Sequence, residues 1–510
     1  MKEKWIWFKQ QLSIGIEKLN RHLPPLRLGM LLMFIIITIF LFAPPAMGMV
    51  DTGEYSAILR ANGLREIPGD TNYYRYFVTK YPILQYYNAD YGSYVSIANV
   101  PLQLAILLNK WFYSQQIFDI RFLALVYEVL FLIGFYFLLK RLLYRLPAKK
   151  AYIMMALTVF LLSDATYIGY FNSFYYEATA FILVIYFVGL NLAIYQETND
   201  RKRFRYYVFA VIVTILFMMV SHMLSVIAIG MVVTLSAGLI MVRYRPFRIS
   251  AAFVVFSILP IGFMIDSLYE SPFAQKQVFE SETTGAMVAA KDPESAAAYL
   301  NIAPQYEMLR NQKYREPYAL AQTDSKKIQQ GMMSHLSTMH LSWYYFMHPK
   351  ELWRMLGIAL ENKNLTRSSG LAFERGQQYG SWRQLIFQGA TMVKGAFTPK
   401  KFGFYLILAI IIISMYGVSA YRGYLLGEPR YIARFISKSG MLLVMFLSFL
   451  TPIIFSGTGN MNRTLLTASV VMDLLVLIVI ADFLRKDIWI ERDQMVMAGW
   501  GVKFKNEEKM

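Results

Sequence analysis

Apolar runs separated by short charged segments organise the chain. A helix crosses the hydrocarbon core of a bilayer with roughly 17 to 25 apolar residues, and ten runs close to that length can be read from the sequence. The pattern is typical of an all-α polytopic membrane protein. The predicted spans are residues 29–49, 121–140, 151–169, 172–195, 206–221, 223–242, 249–267, 402–420, 439–456 and 464–484.

The basic residues between these runs predict which side of the membrane each segment faces. Cytoplasmic loops carry an excess of Lys and Arg. Alternate segments each hold at least three such residues, whereas the short links on the other side hold only Arg463. We therefore predict that both termini are cytoplasmic. The basic segments are the N-terminal arm, 140–150, 196–205, 243–248, 422–438 and the tail from 485.

Two long segments face the non-cytoplasmic side in this topology. The first, 50–120, contains an apolar stretch at 95–108 that is too short to span, so we expect it to lie in the interface or to re-enter the membrane. The second is predicted to form a small, mostly helical domain. The predicted organisation is a cytoplasmic amphipathic arm (1–28), a transmembrane module (29–267), the loop domain (268–401), C-terminal transmembrane helices (402–484) and a cytoplasmic tail (485–510).

Composition excludes several classes of protein. With 56% hydrophobic residues, the 510-residue chain is too apolar for an ordinary soluble enzyme. The net charge of +18 comes mostly from residues between apolar runs, and no basic helix or aromatic box typical of nucleic-acid binding accompanies it. The absence of cysteine excludes disulfides, thiolate metal sites and cysteine nucleophiles.

Titratable residues in or beside the predicted spans gather near the outer ends. Such groups are costly in a membrane and commonly functional, so this one-sided distribution favours a pocket that opens outward. They are Asp51, Glu128, Asp164, Glu177, His222 and Asp266. Helix capping is the alternative for Asp266, and pairing with Arg121 is the alternative for Glu128. Asp473 lies in the middle of the last span, where we expect a hydrogen bond between helices.

Carboxylates and aromatic residues occur together at the outer face. Asp51 and Glu54 directly follow the first apolar run, and the stretch 170–177 contains five aromatic residues and ends in Glu177. Aromatic rings stack on the apolar face of a sugar, while acids and amides bind its hydroxyl groups. A sugar site is therefore one interpretation of these residues. An aromatic belt at the membrane interface is the other.

The order of these features resembles the GT-C superfamily of polytopic glycosyltransferases. In that superfamily a first span is followed by an acid at the start of a large outer loop, by many further spans and by a second outer domain. Four short stretches are similar to those of bacterial hexose transferases of S-layer and cell-wall polysaccharide biosynthesis. They are Asp51–Tyr55, Ala61–Leu64, Asn172–Glu177 and Gly457–Asn460.

The resemblance implies that a hexose passes from a polyprenyl-phosphate-linked donor to a surface or cell-wall glycan on the non-cytoplasmic face. It implies Asp51 as the catalytic base, with Glu54 as a second residue to which the motif carries over. Glu177, at the end of the aromatic stretch, is a further catalytic candidate. Many relatives have an Asp-x-Asp motif where this chain has Asp51-Thr52-Gly53-Glu54. No cofactor is therefore certain, and a divalent metal ion stays an open question.

Such a donor requires a base for the acceptor hydroxyl and a cation for the lipid phosphate. An arginine fork matches a phosphate best, although each outer arginine could equally contact lipid headgroups. The predicted substrate-binding residues are Arg60, Arg65, Arg75, Arg463, Asn172, Tyr175 and His222.

Three other functions are weighed against this one. A flippase or transporter predicts two similar halves with broken spans and midplane charges, and the sequence shows neither, apart from Asp473. A non-catalytic scaffold would tolerate Asp51→Asn. A polysaccharide polymerase or ligase predicts basic residues in a late outer loop. The segment 268–401 holds Arg310, Arg315, Arg367, Arg375 and Arg383.

Overall fold

The structure is a computed structural model, and long apolar helices form most of it. The predicted amphipathic arm falls mostly outside the residues that it describes, and Arg75 falls outside them as well. The described residues are 20–67, 76–85, 96–241, 245–268, 274–314, 323, 325–332, 338–363, 371–373, 386–399, 401–458 and 461–488.

The helices are numbered in chain order. The first group is α1 (Pro25–Phe42), α2 (Tyr55–Ala61), α3 (Asn99–Phe112), α4 (Arg121–Leu142), α5 (Ala148–Leu162), α6 (Ala165–Ile168), α7 (Glu177–Gln196), α8 (Asp200–Met218), α9 (His222–Met241) and α10 (Arg245–Leu268). The second group is α11 (Ala274–Glu280), α12 (Met287–Ala289), α13 (Pro293–Tyr299), α14 (Lys326–Gly331), α15 (Thr338–Met347), α16 (Pro349–Lys363) and α17 (Gly389–Phe397). The last group is α18 (Phe402–Leu425), α19 (Pro429–Ser456), α20 (Met461–Thr464) and α21 (Leu466–Leu484).

Four short strands, two 3₁₀ helices and one π-helix complete the described elements. The strands are β1 (Met47–Met49), β2 (Lys80–Pro82), β3 (Ile117–Asp119) and β4 (Leu371–Phe373). They form two antiparallel pairs, β1 with β4 and β2 with β3. The remaining turns are 3₁₀ helices at Gly169–Asn172 and Pro304–Leu309 and a π-helix at Ser281–Ala286. The sequence analysis does not predict these strands, because three residues are too few to show an alternating pattern.

Seven of the described helices are long and apolar enough to cross a membrane: α1, α4, α7, α9, α18, α19 and α21. The helix α5 and the following residues 165–172, bent by 46°, make an eighth span if they are counted together. Helices α8 and α10 occupy the other two predicted positions, but α8 begins with the charged stretch 200–205. The predicted number of ten spans is therefore not confirmed.

Glycines let helices α9 and α19 approach closely at two positions along their contact. A Cβ atom added to Gly230 would lie 2.6 Å from the backbone nitrogen of Val444, and one added to Gly440 would lie 2.6 Å from that of Thr234. In lipid, close packing of small residues is a principal means of holding helices together. A larger side chain at either glycine would force these helices apart.

The segment 268–401, called the second outer segment after its predicted side, folds back onto the transmembrane helices through its described residues. Strand β4 pairs with β1 of the first outer segment, so both segments contribute to one small sheet. Helix α17 inserts deeper, because its Lys394 pairs with Asp473 of α21 at 2.7 Å, about 10 Å along that helix from its first residue. Tyr167 also donates to Asp473, at 2.6 Å. The expected hydrogen bond between helices at Asp473 is thereby confirmed.

Helix α3 occupies the apolar stretch expected to lie in the interface or to re-enter. It is 14 residues long, too short to span. One face is buried, while Val100, Trp111 and Phe112 on the other are at least 60% exposed. An amphipathic helix of this kind fits the membrane interface.

Candidate active site

Asp51 lies directly after β1, at the start of α2. Its Oδ1 atom accepts hydrogen bonds from the backbone N–H groups of Gly53, Glu54 and Tyr55, at 2.8, 3.1 and 3.1 Å. The carboxylate thus holds the turn that leads into α2, and its bond from Tyr55 reaches the first residue of that helix. Gly53 has a φ of 93°, in the left-handed region that glycine adopts without strain. No described residue donates a hydrogen bond to the Oδ2 atom of Asp51.

A narrow cleft with a cavity volume of about 20 Å³ lies against Asp51. Its walls combine aromatic rings with a second acid. They are formed by Met49, Asp51, Tyr55, Leu59, Glu66, Ile67, Tyr76, Val78 and Tyr81. Asp51 is only 6% exposed. Burial raises the pKa of Asp51 to about 6, and the charge of Glu66 adds to this effect while the three backbone donors oppose it. A carboxylate with this pKa can act as a general base near neutral pH.

Tyr175 holds the backbone on both sides of Asp51. Its hydroxyl accepts a hydrogen bond from the backbone N–H of Thr52 at 2.8 Å and donates one to the carbonyl of Val50 at 3.1 Å. Its ring packs against that of Tyr55, with centroids 4.7 Å apart. Tyr175 is therefore a positioning residue for Asp51.

An ion cluster of two acids and two cations lies beside this loop. Arg463, on the short helix α20, pairs through Nη1 with Glu54 and through Nε with Glu177, at 2.6 Å in both cases. Lys276 of α11 pairs with the other oxygen of Glu54 at 2.7 Å. The guanidinium of Arg463 also lies over the Tyr175 ring, 4.5 Å from its centroid. The first outer loop, the second outer segment and the helix ends of α7 and α20 meet at this cluster.

The two cations fix the charge of Glu54. Burial alone would favour the protonated acid, but Arg463 and Lys276 outweigh it and lower the pKa of Glu54 to about 2. Both oxygens of Glu54 are engaged. A carboxylate of this kind is a poor proton acceptor at neutral pH, and it orients the two cations instead.

The other predicted substrate-binding residues lie elsewhere. Asn172 is fully buried, and its Nδ2 atom donates to the carbonyls of Leu41 and Met47 at 3.2 and 2.9 Å. The amide of Asn172 thus ties α1 to β1 beneath the site, and the predicted contact of Asn172 with substrate stays a prediction. Arg60 and Arg65 are exposed on the first loop. His222 begins α9 and is half-buried, away from the residues that line the cleft.

The remaining outer acids have structural partners. Thr38 donates to Glu128 at 2.7 Å, whereas Arg121 pairs with Asp119, so the alternative pairing of Glu128 with Arg121 is wrong. Asp164 caps α6 and accepts from the backbone N–H of Thr391 at 2.8 Å. Asp266 lies in α10, and its side chain is outside the described part of the structure.

Lys276 and Glu66 are two residues of the site that the sequence does not predict. Lys276 enters the site from a segment 222 residues away from Glu54, and no local motif marks it. Glu66 is one acid among several in a loop. Among the residues that the structure describes, no three histidine or acidic side chains lie together in a way that could hold a metal ion. We therefore assign no metal site.

The fold and the cleft together define an integral, multi-pass membrane protein with a buried acid and an acid–cation cluster at one end of its helices. The family model described as the YfdI N-terminal transmembrane domain matches residues 10–506, nearly the whole chain, and the chain belongs to this family. No curated protein and no solved structure matches it.

Proposed function

We propose that the chain is a GT-C-type membrane glycosyltransferase. In this proposal it transfers a hexose from a polyprenyl-phosphate-linked donor to a surface or cell-wall glycan on the non-cytoplasmic face. The observation that carries the proposal is the state of Asp51. One of its oxygens is held by three backbone donors, and its side chain borders a cleft in which its pKa is raised to about 6.

The transfer step uses Asp51 as the base. The acceptor hydroxyl oxygen attacks the anomeric carbon of the donor sugar, and the bond between that carbon and the phosphate oxygen breaks. The hydroxyl proton passes to Oδ2 of Asp51, and the electron pair of the broken bond leaves with the polyprenyl phosphate. The three backbone donors keep Asp51 in one orientation during this step, which is how a positioned base gains its effect.

In this proposal the leaving phosphate lies against the ion cluster. Arg463 uses Nη1 and Nε on the two acids, and no described residue accepts a hydrogen bond from its Nη2. Lys276 lies on the far side of Glu54, with a side chain 17% exposed. Cations fixed before the reaction can stabilise a charge that develops during it without reorganising. The exposed Arg60 and Arg65 would attract the lipid phosphate to the entrance.

The proposed sugar lies at the mouth of the cleft, against its aromatic wall, because the cleft itself is too small to enclose a sugar ring. Tyr55, Tyr76 and Tyr81 line the cleft together with Glu66. Rings of this kind stack on the apolar face of a pyranose, and the acid can accept hydrogen bonds from its hydroxyl groups. Glu66 is thus the second carboxylate of the cleft, in place of the Glu54 and Glu177 proposed from the sequence.

Hexose transfer with defined donors tests this proposal. The purified full-length chain, given an extracted glycan acceptor, should transfer hexose from a polyprenyl-phosphate donor and should not use the matching nucleotide sugar. Several polyprenyl-phosphate hexoses are tested in parallel, because the sugar is unknown. Failure with every polyprenyl-phosphate donor, or equal use of the nucleotide sugar, would contradict the proposal.

The described residues give little support to the alternative functions. Asp473, the midplane acid that a transporter could use, is held by Lys394 and Tyr167. A polymerase or ligase would need the basic residues of the second outer segment. Of these, Arg310 is exposed on the surface, and the other four lie outside the described residues.

A further inference from the structure

A second pocket lies at the opposite end of the helices from Asp51. Helix α7 relates the two sites: its first residue, Glu177, belongs to the ion cluster, and its last, Gln196, lines this pocket. Twenty residues of helix are about 30 Å long, so the pocket lies at the other membrane surface. Its cavity volume is about 330 Å³. We call it the inner pocket.

Positive charge exceeds negative charge in the inner pocket. Six cations and four acids line it. The cations are Arg145, Arg203, Arg430, Arg434, Lys438 and Arg485, and the acids are Glu197, Glu428, Asp482 and Asp487.

Three of the cations are engaged within the protein. Arg203 donates to the carbonyls of Ile194, Glu197 and Met241 and pairs with Asp200. Arg485 donates to the carbonyls of Arg141, Leu142 and Tyr144 and pairs with Asp482. Arg434 pairs with Asp482 and Asp487. These three side chains already bind carbonyl groups and acids of the protein. The positive charge that is left for a ligand therefore lies on the other cations.

Lys438 is the buried cation that remains. Its side chain is 4% exposed and lines the pocket from α19. Among the described residues it has a ring contact, with Nζ 5.9 Å from the centroid of Tyr416, but neither a hydrogen-bond acceptor nor an acid within ion-pair distance. A buried ammonium group without an acceptor is costly. At the rim, Arg430 is exposed, and its guanidinium lies 5.3 Å from the ring centroid of Tyr431.

We propose that the inner pocket binds a phosphate group between Lys438 and Arg430. A phosphate offers several strong acceptor oxygens to an ammonium and a guanidinium at once. Basic pockets between helices at a membrane surface are suited to phosphorylated headgroups. The phosphate can belong to an anionic phospholipid or to a soluble ion, and the experiment below separates the two. This inference concerns a site distinct from the cleft and does not depend on the glycosyltransferase proposal.

Binding to the purified full-length protein in detergent tests the proposal. Phosphatidylglycerol and, as a zwitterionic comparison, phosphatidylcholine are titrated and measured by native mass spectrometry, and radiolabelled inorganic phosphate is measured by equilibrium dialysis. The variants are Lys438→Met and Arg430→Gln. The matched control is Lys149→Met, which removes an exposed lysine outside the pocket.

Each variant should bind the preferred ligand about tenfold more weakly, which is the effect of losing one charge-assisted hydrogen bond. The control should bind it as wild type does. Binding of phosphatidylglycerol alone would identify a lipid headgroup, and binding of inorganic phosphate would identify a soluble ligand. The proposal is overturned if both variants bind like the control, or if wild type shows no preference for either probe over phosphatidylcholine. If Lys438→Met does not fold, Arg430→Gln decides the question alone.

Discussion

Asp51 combines a structural role with the catalytic role that we propose for it. Its Oδ1 atom holds the turn that leads into α2, and its Oδ2 atom would take the proton. The position of Asp51 could be predicted from the sequence because it directly follows an apolar run. Its environment could not, because Tyr175 and Glu66 approach it through the fold.

The raised pKa of Asp51 predicts an acid limb in the pH dependence of transfer. Protonated Asp51 cannot accept the hydroxyl proton, so kcat/KM should fall as pH decreases through about 6, by about tenfold per pH unit below it. The measurement is kcat/KM against pH for wild type, with folding checked at each pH. A profile that stays flat through this range would contradict the role of Asp51 as base.

Glu66→Gln should move that acid limb to lower pH. The negative charge of Glu66 helps to raise the pKa of Asp51, so removing this charge makes Asp51 easier to ionise. The comparison is the pH profile of Glu66→Gln with that of Glu66→Asp, which keeps the charge. A shift to higher pH, or the same shift in both variants, would show that Glu66 does not act through its charge.

At the scale of elements, the loop that carries Asp51 depends on Tyr175. Tyr175→Phe removes the hydroxyl that holds Val50 and Thr52 but keeps the ring beneath Arg463. We expect kcat to fall about tenfold, since small displacements of a base are costly. Tyr186→Phe is the control, because it removes a hydroxyl bonded to the backbone carbonyl of Leu130, away from the cleft. Equal activity of the two variants would exclude a positioning role for Tyr175.

The contact between α17 and α21 rests on one ion pair. Lys394→Met leaves Asp473 buried without its cation, and breaking a buried pair costs about 3 to 5 kcal/mol. We expect a clear loss of thermal stability in detergent. The double variant Lys394→Met with Asp473→Leu should recover part of the loss, because no unpaired charge remains. A double variant less stable than the single one would contradict this account.

The elements differ in how far the sequence predicts them. Long helices such as α4 and α7 were predictable because most of their length is apolar. The docking of α17 was not, because Lys394 and Asp473 belong to segments that look unrelated in sequence. The pairing of β1 with β4 likewise joins residues more than 300 positions apart.

At the scale of the whole molecule, the predicted topology assigns each loop to one side of the membrane. The chain has no cysteine, so single cysteines can be introduced without background. Asp292→Cys, in the second outer segment, should react with an impermeant maleimide in intact cells. Lys149→Cys, in the first turn of α5, should react only after the cells are opened. Both side chains are exposed. The reverse pattern would place the cleft on the cytoplasmic side.

The most direct test of the central claim is hexose transfer by Asp51→Asn. Asparagine keeps an oxygen that can accept the three backbone hydrogen bonds but cannot take the proton, so the fold should persist while kcat falls by about 10²- to 10⁴-fold. Asp292→Asn is the control, because Asp292 accepts a backbone hydrogen bond at the start of α13 and is exposed. Loss of transfer in Asp51→Asn alone, with unchanged thermal stability, is the predicted result. Full transfer by Asp51→Asn would contradict the account.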